Sequence, residues 1–331
     1  MIDLRWVVLL LVALDAAILI ALPHLAPRGI WFGVRTGDEF RRGAEGRAAL
    51  RRYRAASGGA LAVAAGAALA FGGRSEFALL AVGLGPLPAA LAAYLANYFR
   101  LKPHALPAVD IREADLAPAA ERLPLWTLLA APPFALPAAA MLFLRENWER
   151  IPLRYPIHYG ADGRPNGWAH RTERAVYAPL VFAEGLLLLI LLLAVATLLF
   201  SRRSARRSGI PQVFVAVLYL LAGLFSGIGI DPVVHVPPAI LLGAVLLFVV
   251  GLIVYASRRL SAPDAVAEPT PDDRWTLGGI YSNPDDPAIF VQKRIGYGYT
   301  VNFANPWSWA VMGGFFLGVA GLAAYLVWAL K

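Results

Sequence analysis

Four polar residues are candidates for a metal site: His158, His170, Asp231 and His235. Imidazole nitrogens and a carboxylate oxygen are ligands that zinc and other first-row divalent metals favour. Asp231 and His235 lie four residues apart in a short segment between apolar blocks, but no HExxH or similarly close spacing accompanies them. Because prolines follow both residues, the segment is also typical of an ordinary turn. A divalent metal is therefore one hypothesis, and no cofactor is identified.

Two carboxylates, Asp15 and Glu184, lie inside long apolar stretches. An ionisable group inside a bilayer costs about 3 kcal/mol on insertion scales, so it normally faces a cavity, a ligand or a polar partner. Both residues are candidates for ligand binding. A structural hydrogen bond to a neighbouring helix is the equal alternative.

Ordinary soluble-enzyme chemistry has no support in the sequence. The 331 residues contain no cysteine, which excludes disulfides, thiolate nucleophiles and cysteine-ligated metals. No Ser-His-Asp order, glycine-rich phosphate loop or nucleotide fingerprint occurs. The sequence therefore favours a protein that is not an enzyme.

The composition is that of a helical membrane protein. Apolar residues make up 59% of the chain and charged residues 16%, against about 25% charged residues in soluble domains. The apolar residues occur in blocks of about 20, the length of a transmembrane helix. We predict an all-α polytopic membrane protein with about eight transmembrane helices and a small cytoplasmic β-meander. The predicted spans are Trp6–Leu25, Ala55–Gly72, Phe77–Phe99, Leu125–Arg145, Ala175–Phe200, Val213–Ile230, Val236–Ser257 and Trp307–Leu330.

The distribution of basic residues predicts the orientation. Of the 30 Lys and Arg residues, 21 fall in the segments after the first, third, fifth and seventh spans. The positive-inside rule places those segments in the cytoplasm and both termini outside. The basic residues behind the net charge of +8 thus lie in the segments where membrane topology requires them. We therefore expect the lipid bilayer as a partner and not nucleic acid.

The chain divides into six segments by composition. These are a three-span region with a basic loop at 1–123, the fourth and fifth spans with the His158 loop at 124–200, the sixth and seventh spans at 201–258, a linker at 259–273, the meander at 274–306 and the last span at 307–331. The basic stretch 39–54 is typical of an amphipathic helix on the inner membrane surface, and a regulatory docking site is the alternative. In the meander, Asp285 and Asp286 either cap a turn or bind a cation.

The segment Tyr155–Trp168, YPIHYGADGRPNGW, is the most distinctive polar sequence of the chain. Its alternation and its two Asx-Gly dipeptides predict short strands joined by tight turns. Strand alternation puts His158 on the face opposite Ile157 and Tyr159, and if that face points toward the membrane domain the imidazole meets Asp231 or His235. Two interpretations follow: His158 has only a structural hydrogen bond to a loop carbonyl, or His158, Asp162 and Trp168 contact a ligand or a metal.

Two motifs resemble known families. Tyr155–Trp168 resembles the Pro-Ile-His-aromatic-polar-x-x-Gly-x-x-Asp/Asn-x-Trp signature of the bacterial membrane domain of unknown function 1648, which includes the SdpI-like immunity proteins. Trp275–Pro306, with its motifs GIYSNPDDP and GYTVNF, resembles the domain of unknown function 5808. The first resemblance implies a multi-pass protein of the bacterial cell membrane, with His158 outside. It also implies two partners, a membrane-active peptide toxin outside and a regulator in the cytoplasm.

These expectations lead to one functional hypothesis and two alternatives. The leading hypothesis is a protein that senses, or confers immunity to, a membrane-active peptide or similar envelope agent and relays this to the cytoplasm. Prolines within the third and fourth spans indicate a cavity near the membrane midplane, which keeps a small-solute transporter as the alternative. A membrane metalloenzyme using the four-residue metal set is the third.

Overall fold

The computed structural model describes residues 4–26, 29–71, 81–107, 125–159, 164–200, 210–260, 272–295 and 298–331. Their long helices are α1 (Leu4–Ala21), α2 (Ala44–Phe71), α3 (Pro86–Leu101), α4 (Pro132–Glu146), α5 (Glu173–Phe200), α6 (Ile210–Ile230), α7 (Pro238–Leu260) and α8 (Pro306–Leu330). Short strands pair as hairpins: β1 (Ile30–Trp31) with β2 (Val34–Arg35), β3 (Arg154–Tyr159) with β4 (Pro165–His170), β5 (Trp275–Thr276) with β6 (Ile280–Tyr281), and β7 (Phe290–Gln292) with β8 (Tyr299–Val301). The prediction of a mainly helical chain with membrane-spanning helices is confirmed.

The number of spans is lower than the sequence predicts. In the described part of the chain, five helical stretches are long and apolar enough to cross a membrane: Leu128–Glu146, Glu173–Phe200, Gln212–Ile230, Ile240–Arg259 and Pro306–Leu330. They correspond to the fourth to eighth predicted spans. The prediction of eight is therefore too high for the described residues.

The first three predicted spans are not among these five. The second is continuous with the arginine-rich segment before it in the single helix α2, and alanine and glycine make it only weakly apolar. The first is represented by the apolar stretch Leu9–His24, because its side chains are described only from residue 9. The third begins at residues 77–80, outside the described residues, and helix α3 within it has 16 residues.

The chain forms two compact units. Unit 1 comprises Met1–Glu113, Gly160–Arg164 and Val249–Asn305, and unit 2 comprises Ala114–Tyr159, Pro165–Phe248 and Pro306–Lys331. The predicted meander region thus belongs to the same unit as the N-terminal helices, although more than 150 residues separate them in the sequence.

Unit 1 has an aromatic core around the β1–β2 turn. Phe32 and Gly33 both have positive φ, 48° and 78°, as a type I′ hairpin turn requires. For Phe32 this conformation is strained, and its buried ring compensates by packing 5.1 Å from the Trp31 and Tyr94 rings and 5.6 Å from Tyr53. Helices α1, α2 and α3 supply the remaining core side chains.

The C-terminal β element is two hairpins, not the predicted meander. Strand β6 meets β8 through a parallel bridge between Tyr281 and Asn302, whereas a meander would pair β6 with β7. The reason is the proline-containing segment 282–288, which is too long for a tight hairpin turn. The buried Asn302 amide holds this segment by donating to the carbonyls of Asn283 and Asp286, both at 2.8 Å.

Unit 2 is a helical bundle centred on α5, which contacts α4, α6 and α8. Glycines let large side chains approach: a Cβ on Gly229 would lie 2.5 Å from Leu180, and one on Gly185 would lie 2.4 Å from Leu322. Such small-residue contacts are typical of helices that pack inside a bilayer. The hairpin β3–β4 lies at one end of this bundle.

Candidate functional site

The β3–β4 hairpin is anchored to unit 2 by one face. Tyr155 and Ala169 are paired across the hairpin and are 3% and 1% exposed. They pack in a cluster with Leu144 of α4 and Val176 of α5. The anchoring follows from sequence alternation, which puts these two residues on the same side of the strands.

Arg171 fixes the base of the hairpin. Its backbone N–H donates to the carbonyl of Leu153 at 2.9 Å. Its guanidinium donates to the carbonyls of Trp148 and Ile151, at 3.1 and 3.2 Å, and pairs with Glu149 at 3.2 Å. The next residue, Thr172, caps α5 through its hydroxyl. The hairpin is therefore held rigidly between α4 and α5.

The polar side chains of the hairpin are exposed. Trp168 is 43% exposed, and the Arg154 guanidinium stacks 4.9 Å from the centre of its ring. His158 is exposed, and its Nδ1 contacts the side-chain oxygen of Asn166. Arg154 and Trp168 together form a cationic and aromatic surface that can stack on a ligand and bind its polar groups, and His158 is a separate exposed group on the side of Gly167.

His158 does not point where strand alternation directs it. A bulge interrupts the register between Pro156 and Tyr159, so that His158 pairs with Gly167. Gly167 is required there, because an added Cβ would lie 2.8 Å from the His158 Cβ. The observed ring partner of His158 is Asn166 rather than Asp231 or His235.

The other candidates of the polar loops are dispersed. Asp162 lies outside the described residues. His170 is exposed at the end of β4. Asp231 accepts from the Val236 N–H and contacts His235 Nδ1, each at 3.0 Å, which is the geometry of a capped turn.

The structure brings together two of the four proposed metal ligands, Asp231 and His235. Among the described residues, no three His, Cys, Asp or Glu side chains are close enough to hold a metal ion. The four-residue metal set stays a prediction.

The two carboxylates of the apolar helices belong to different units. Asp15 lies half-buried on α1, and its Oδ2 is inaccessible and without a hydrogen-bond partner among the described residues. Glu184 is half-buried on α5, beside the close contact between Gly185 and Leu322 of α8. Their assignment as ligand-binding residues also stays a prediction.

Sequence reasoning missed a buried arginine in unit 1. Arg294 is fully buried, pairs with Asp272 and stacks 4.9 Å from the centre of the Trp275 ring. Asp272 also accepts from the backbone N–H of Arg35 at 3.4 Å. The pair therefore links the C-terminal hairpins to the N-terminal hairpin. A Lys-Arg dipeptide close to a glycine, as in the segment KRIG, is typical of an exposed turn, so the sequence carries no signal for this burial.

Two of the hairpins of unit 1, β1–β2 and β5–β6, also meet through their turns. Leu277 and Gly278 have positive φ, 54° and 70°, which repeats the backbone geometry of the β1–β2 turn. A Cβ on Gly33 would lie 2.9 Å from Gly278 Cα, and one on Gly278 would lie 2.8 Å from Gly33 Cα. The sequence signals of this contact are two glycines, Gly33 and Gly278, each inside a short aromatic segment.

Asp285 and Asp286, the two acidic residues of the 282–288 segment, stabilise the local fold. Asp286 is 5% exposed, accepts from the Tyr281 hydroxyl at 2.8 Å and caps the Ala288 N–H at 3.0 Å. Asp285 pairs with Arg274 at 3.1 Å. Of the two alternatives left by the sequence, this geometry matches the turn-capping role.

The same region matches a known family. The model of the family of unknown function DUF5808 matches residues 284–309, which cover β7, β8 and the first turn of α8. The match confirms the C-terminal part of the resemblance. No curated protein and no solved structure matches the chain. The SdpI-like part of the resemblance stays a prediction.

Proposed function

We propose that this membrane protein recognises a membrane-active peptide or a similar envelope agent outside a bacterial cell through the β3–β4 hairpin, and relays its presence to the cytoplasm, as the SdpI-like resemblance implies. The observation that supports the proposal is the division of the hairpin into a buried and an exposed face. Tyr155 and Ala169 fix its position, while Arg154, His158 and Trp168 remain accessible. A rigid scaffold with an exposed aromatic and cationic surface is suited to recognition.

The experiment is a survival assay in a deletion strain that expresses the protein and is challenged with a panel of membrane-active peptides. We expect the wild type to protect against at least one peptide and Trp168→Ala to lose most of that protection. Leu153→Ala is the matched control, because Leu153 is 73% exposed but lies outside the hairpin strands. Expression and thermal stability of each variant are measured in parallel. Equal protection by the wild type and an empty vector against every peptide overturns the proposal.

Transport is the second candidate, and Glu184 is the observation that favours it. A carboxylate half-buried in α5 lies on the helix that contacts three others of the bundle. Such a group can bind a cation or a proton in a transport cycle. Proteoliposomes that contain the protein are tested for uptake of a labelled solute. Uptake that is lost in Glu184→Gln, together with no protection of cells against peptides, supports transport over immunity.

A further inference from the structure

Two basic side chains of unit 1 lie against one tryptophan, and a third contacts one of the two. His24 lies in the short 3-10 turn after α1, Arg41 in the turn Phe40–Arg42, and Arg54 on α2. A guanidinium nitrogen of Arg54 lies 3.3 Å from His24 Nε2. The Arg41 guanidinium is 5.0 Å, and the His24 ring 6.1 Å, from the centre of the Trp31 ring.

The backbone holds this cluster in place. Arg41 donates to the carbonyls of Ile30 and Ala26, the latter at 3.4 Å. The acid that acts on Arg41 is Asp38, whose carboxylate also accepts from the Gly29 N–H at 2.6 Å. Burial lowers the pKa of Arg41, and the charge of Asp38 opposes this shift.

The accessible edge of the cluster carries excess positive charge. Arg54 and His24 are exposed, and Trp31 is buried beneath them. Arg47 and Arg51 are also exposed on α2, on the same helix face as Arg54 but one or two turns before it, where they add diffuse positive charge and are not members of the cluster. The cluster lies at the end of the apolar stretch Leu9–His24, and a basic edge beside an apolar helix favours contact with anionic lipid headgroups.

We propose that His24, Arg41 and Arg54 form a binding site for a phosphate group. Arginine binds phosphate oxygens through paired, charge-assisted hydrogen bonds, and a histidine N–H adds a third donor. The phosphate comes from an anionic lipid headgroup or from a soluble phosphate ester. This inference is independent of the proposed role of the β3–β4 hairpin.

The test uses the full-length protein in detergent and measures the dissociation constant for phosphatidylglycerol in mixed micelles, with phosphatidylcholine as the neutral lipid. We expect Arg54→Gln to weaken phosphatidylglycerol binding about tenfold, which corresponds to the loss of one hydrogen bond to a charged group. Arg51→Gln is the matched control, because it removes the same charge from the same helix outside the cluster. We expect it to change affinity less than about twofold.

The two phosphate sources are separated by competition. Displacement of the lipid by inorganic phosphate or glycerol 3-phosphate assigns the site to a soluble phosphate. Retention of the lipid at high concentrations of both assigns the site to a headgroup. Equal losses in Arg54→Gln and Arg51→Gln, or equal affinities for the two lipids, overturn the proposal, because either result indicates a diffuse surface charge. His24→Gln, at an exposed position, provides a second variant that does not disturb the core.

Discussion

Tyr155 anchors the recognition hairpin at a small energetic cost. Its hydroxyl is buried and has no hydrogen-bond partner among the described residues. Burial raises its pKa from 10.0 to about 12. A buried hydroxyl without a partner costs about 1–3 kcal/mol, while the ring contributes apolar burial. The residue therefore acts through its ring.

Replacing Tyr155 separates the ring from the hydroxyl. We expect Tyr155→Phe to keep or raise the melting temperature in detergent at pH 7, and Tyr155→Ala to lower the unfolding free energy by about 3 kcal/mol. The folded protein binds the Tyr155 hydroxyl proton more tightly than the unfolded chain does. The contribution of this proton to the unfolding free energy is therefore complete below pH 10 and is lost as the pH rises through about 12. Tyr155→Phe should remove that part of the alkaline loss. A clear fall in its melting temperature at pH 7 would show that the hydroxyl has a partner.

Arg294 carries the strongest prediction for a single ion pair. Removing one member of a buried pair leaves an uncompensated charge, which costs about 3–5 kcal/mol. We expect Arg294→Met to lower the unfolding free energy by about 3 kcal/mol, because Asp272 keeps partial exposure. Thermal unfolding in detergent measures the change.

Arg274 provides the control for this experiment. It forms an ion pair with Asp285, but the aspartate side chain is 77% exposed. Exposed pairs contribute about 0–1 kcal/mol, so Arg274→Met should change stability little. A similar loss in both variants would indicate that burial of Arg294 does not decide its contribution.

At the scale of the elements, the contact between the turns at Gly33 and Gly278 joins the N-terminal and C-terminal segments of unit 1. Both Gly33 and Gly278 have positive φ and leave no space for a Cβ. We expect Gly33→Ala and Gly278→Ala each to lower the unfolding free energy by about 1–2 kcal/mol from backbone strain, with a further loss from the steric conflict. Limited proteolysis of the 272–305 region should also accelerate.

Gly66 on α2 is the matched control for the glycine turns. It has ordinary helical geometry and no atom within 4 Å of an added Cβ. Gly66→Ala should therefore stabilise the protein by about 0.5–1 kcal/mol, the helix-propensity difference between glycine and alanine. Loss of stability in Gly66→Ala together with unchanged Gly33→Ala would contradict the assigned contact.

The sequence predicts elements better than it predicts contacts. Apolar blocks of bilayer length predict α4 to α8, because a helix that crosses the bilayer must be mainly apolar along its whole length. The hairpin β3–β4 follows from its alternation and turn dipeptides. The orientation of His158 does not, since one extra residue in a bulge changes the direction of the side chain.

The missed features depend on residues that are far apart in sequence. The sequence around Arg294 is typical of the surface, but Asp272 and Trp275 bury its side chain, and Asp272 also contacts the β1–β2 hairpin. Similarly, the meander prediction assumed that neighbouring strands pair, whereas Asn302 holds the 282–288 segment and brings β8 beside β6. Local patterns do not encode such tertiary contacts.

At the scale of the whole molecule, α8 has the features of a complete membrane span. Trp307 and Trp328 are 71% and 57% exposed. Their separation of 21 residues corresponds to about 31 Å along a helix, close to the hydrocarbon thickness of a bilayer. Interfacial tryptophans at both ends favour this placement. Within unit 2, Leu330 packs on the cluster that seats β3–β4, so the C-terminus lies at the hairpin end of the bundle.

Single cysteines test this arrangement, because the chain contains no native cysteine. We expect Leu153→Cys and Lys331→Cys to react with a membrane-impermeant maleimide in intact cells. Ala44→Cys, in the basic segment assigned to the cytoplasm, should react only after permeabilisation. Labelling of Leu153→Cys without Lys331→Cys would contradict the placement of α8 across the membrane. Labelling of Ala44→Cys alone would reverse the orientation.

The N-terminus distinguishes eight spans from five. If α1, α2 and α3 all cross the membrane, an epitope placed before Met1 is outside, on the opposite side from residue 44. If only α4 to α8 cross, the epitope and residue 44 are both inside. Residue 44 and Leu153 are separated by three spans in the first case and by one in the second. Both numbers are odd, so the two residues lie on opposite sides in either case, and the cysteine labelling serves as an internal reference. Five spans place 23 of the 30 Lys and Arg residues in the cytoplasm, against 21 for eight spans, so we expect antibody to bind the epitope only after permeabilisation. Binding on intact cells, with the cysteine pattern unchanged, would establish eight spans.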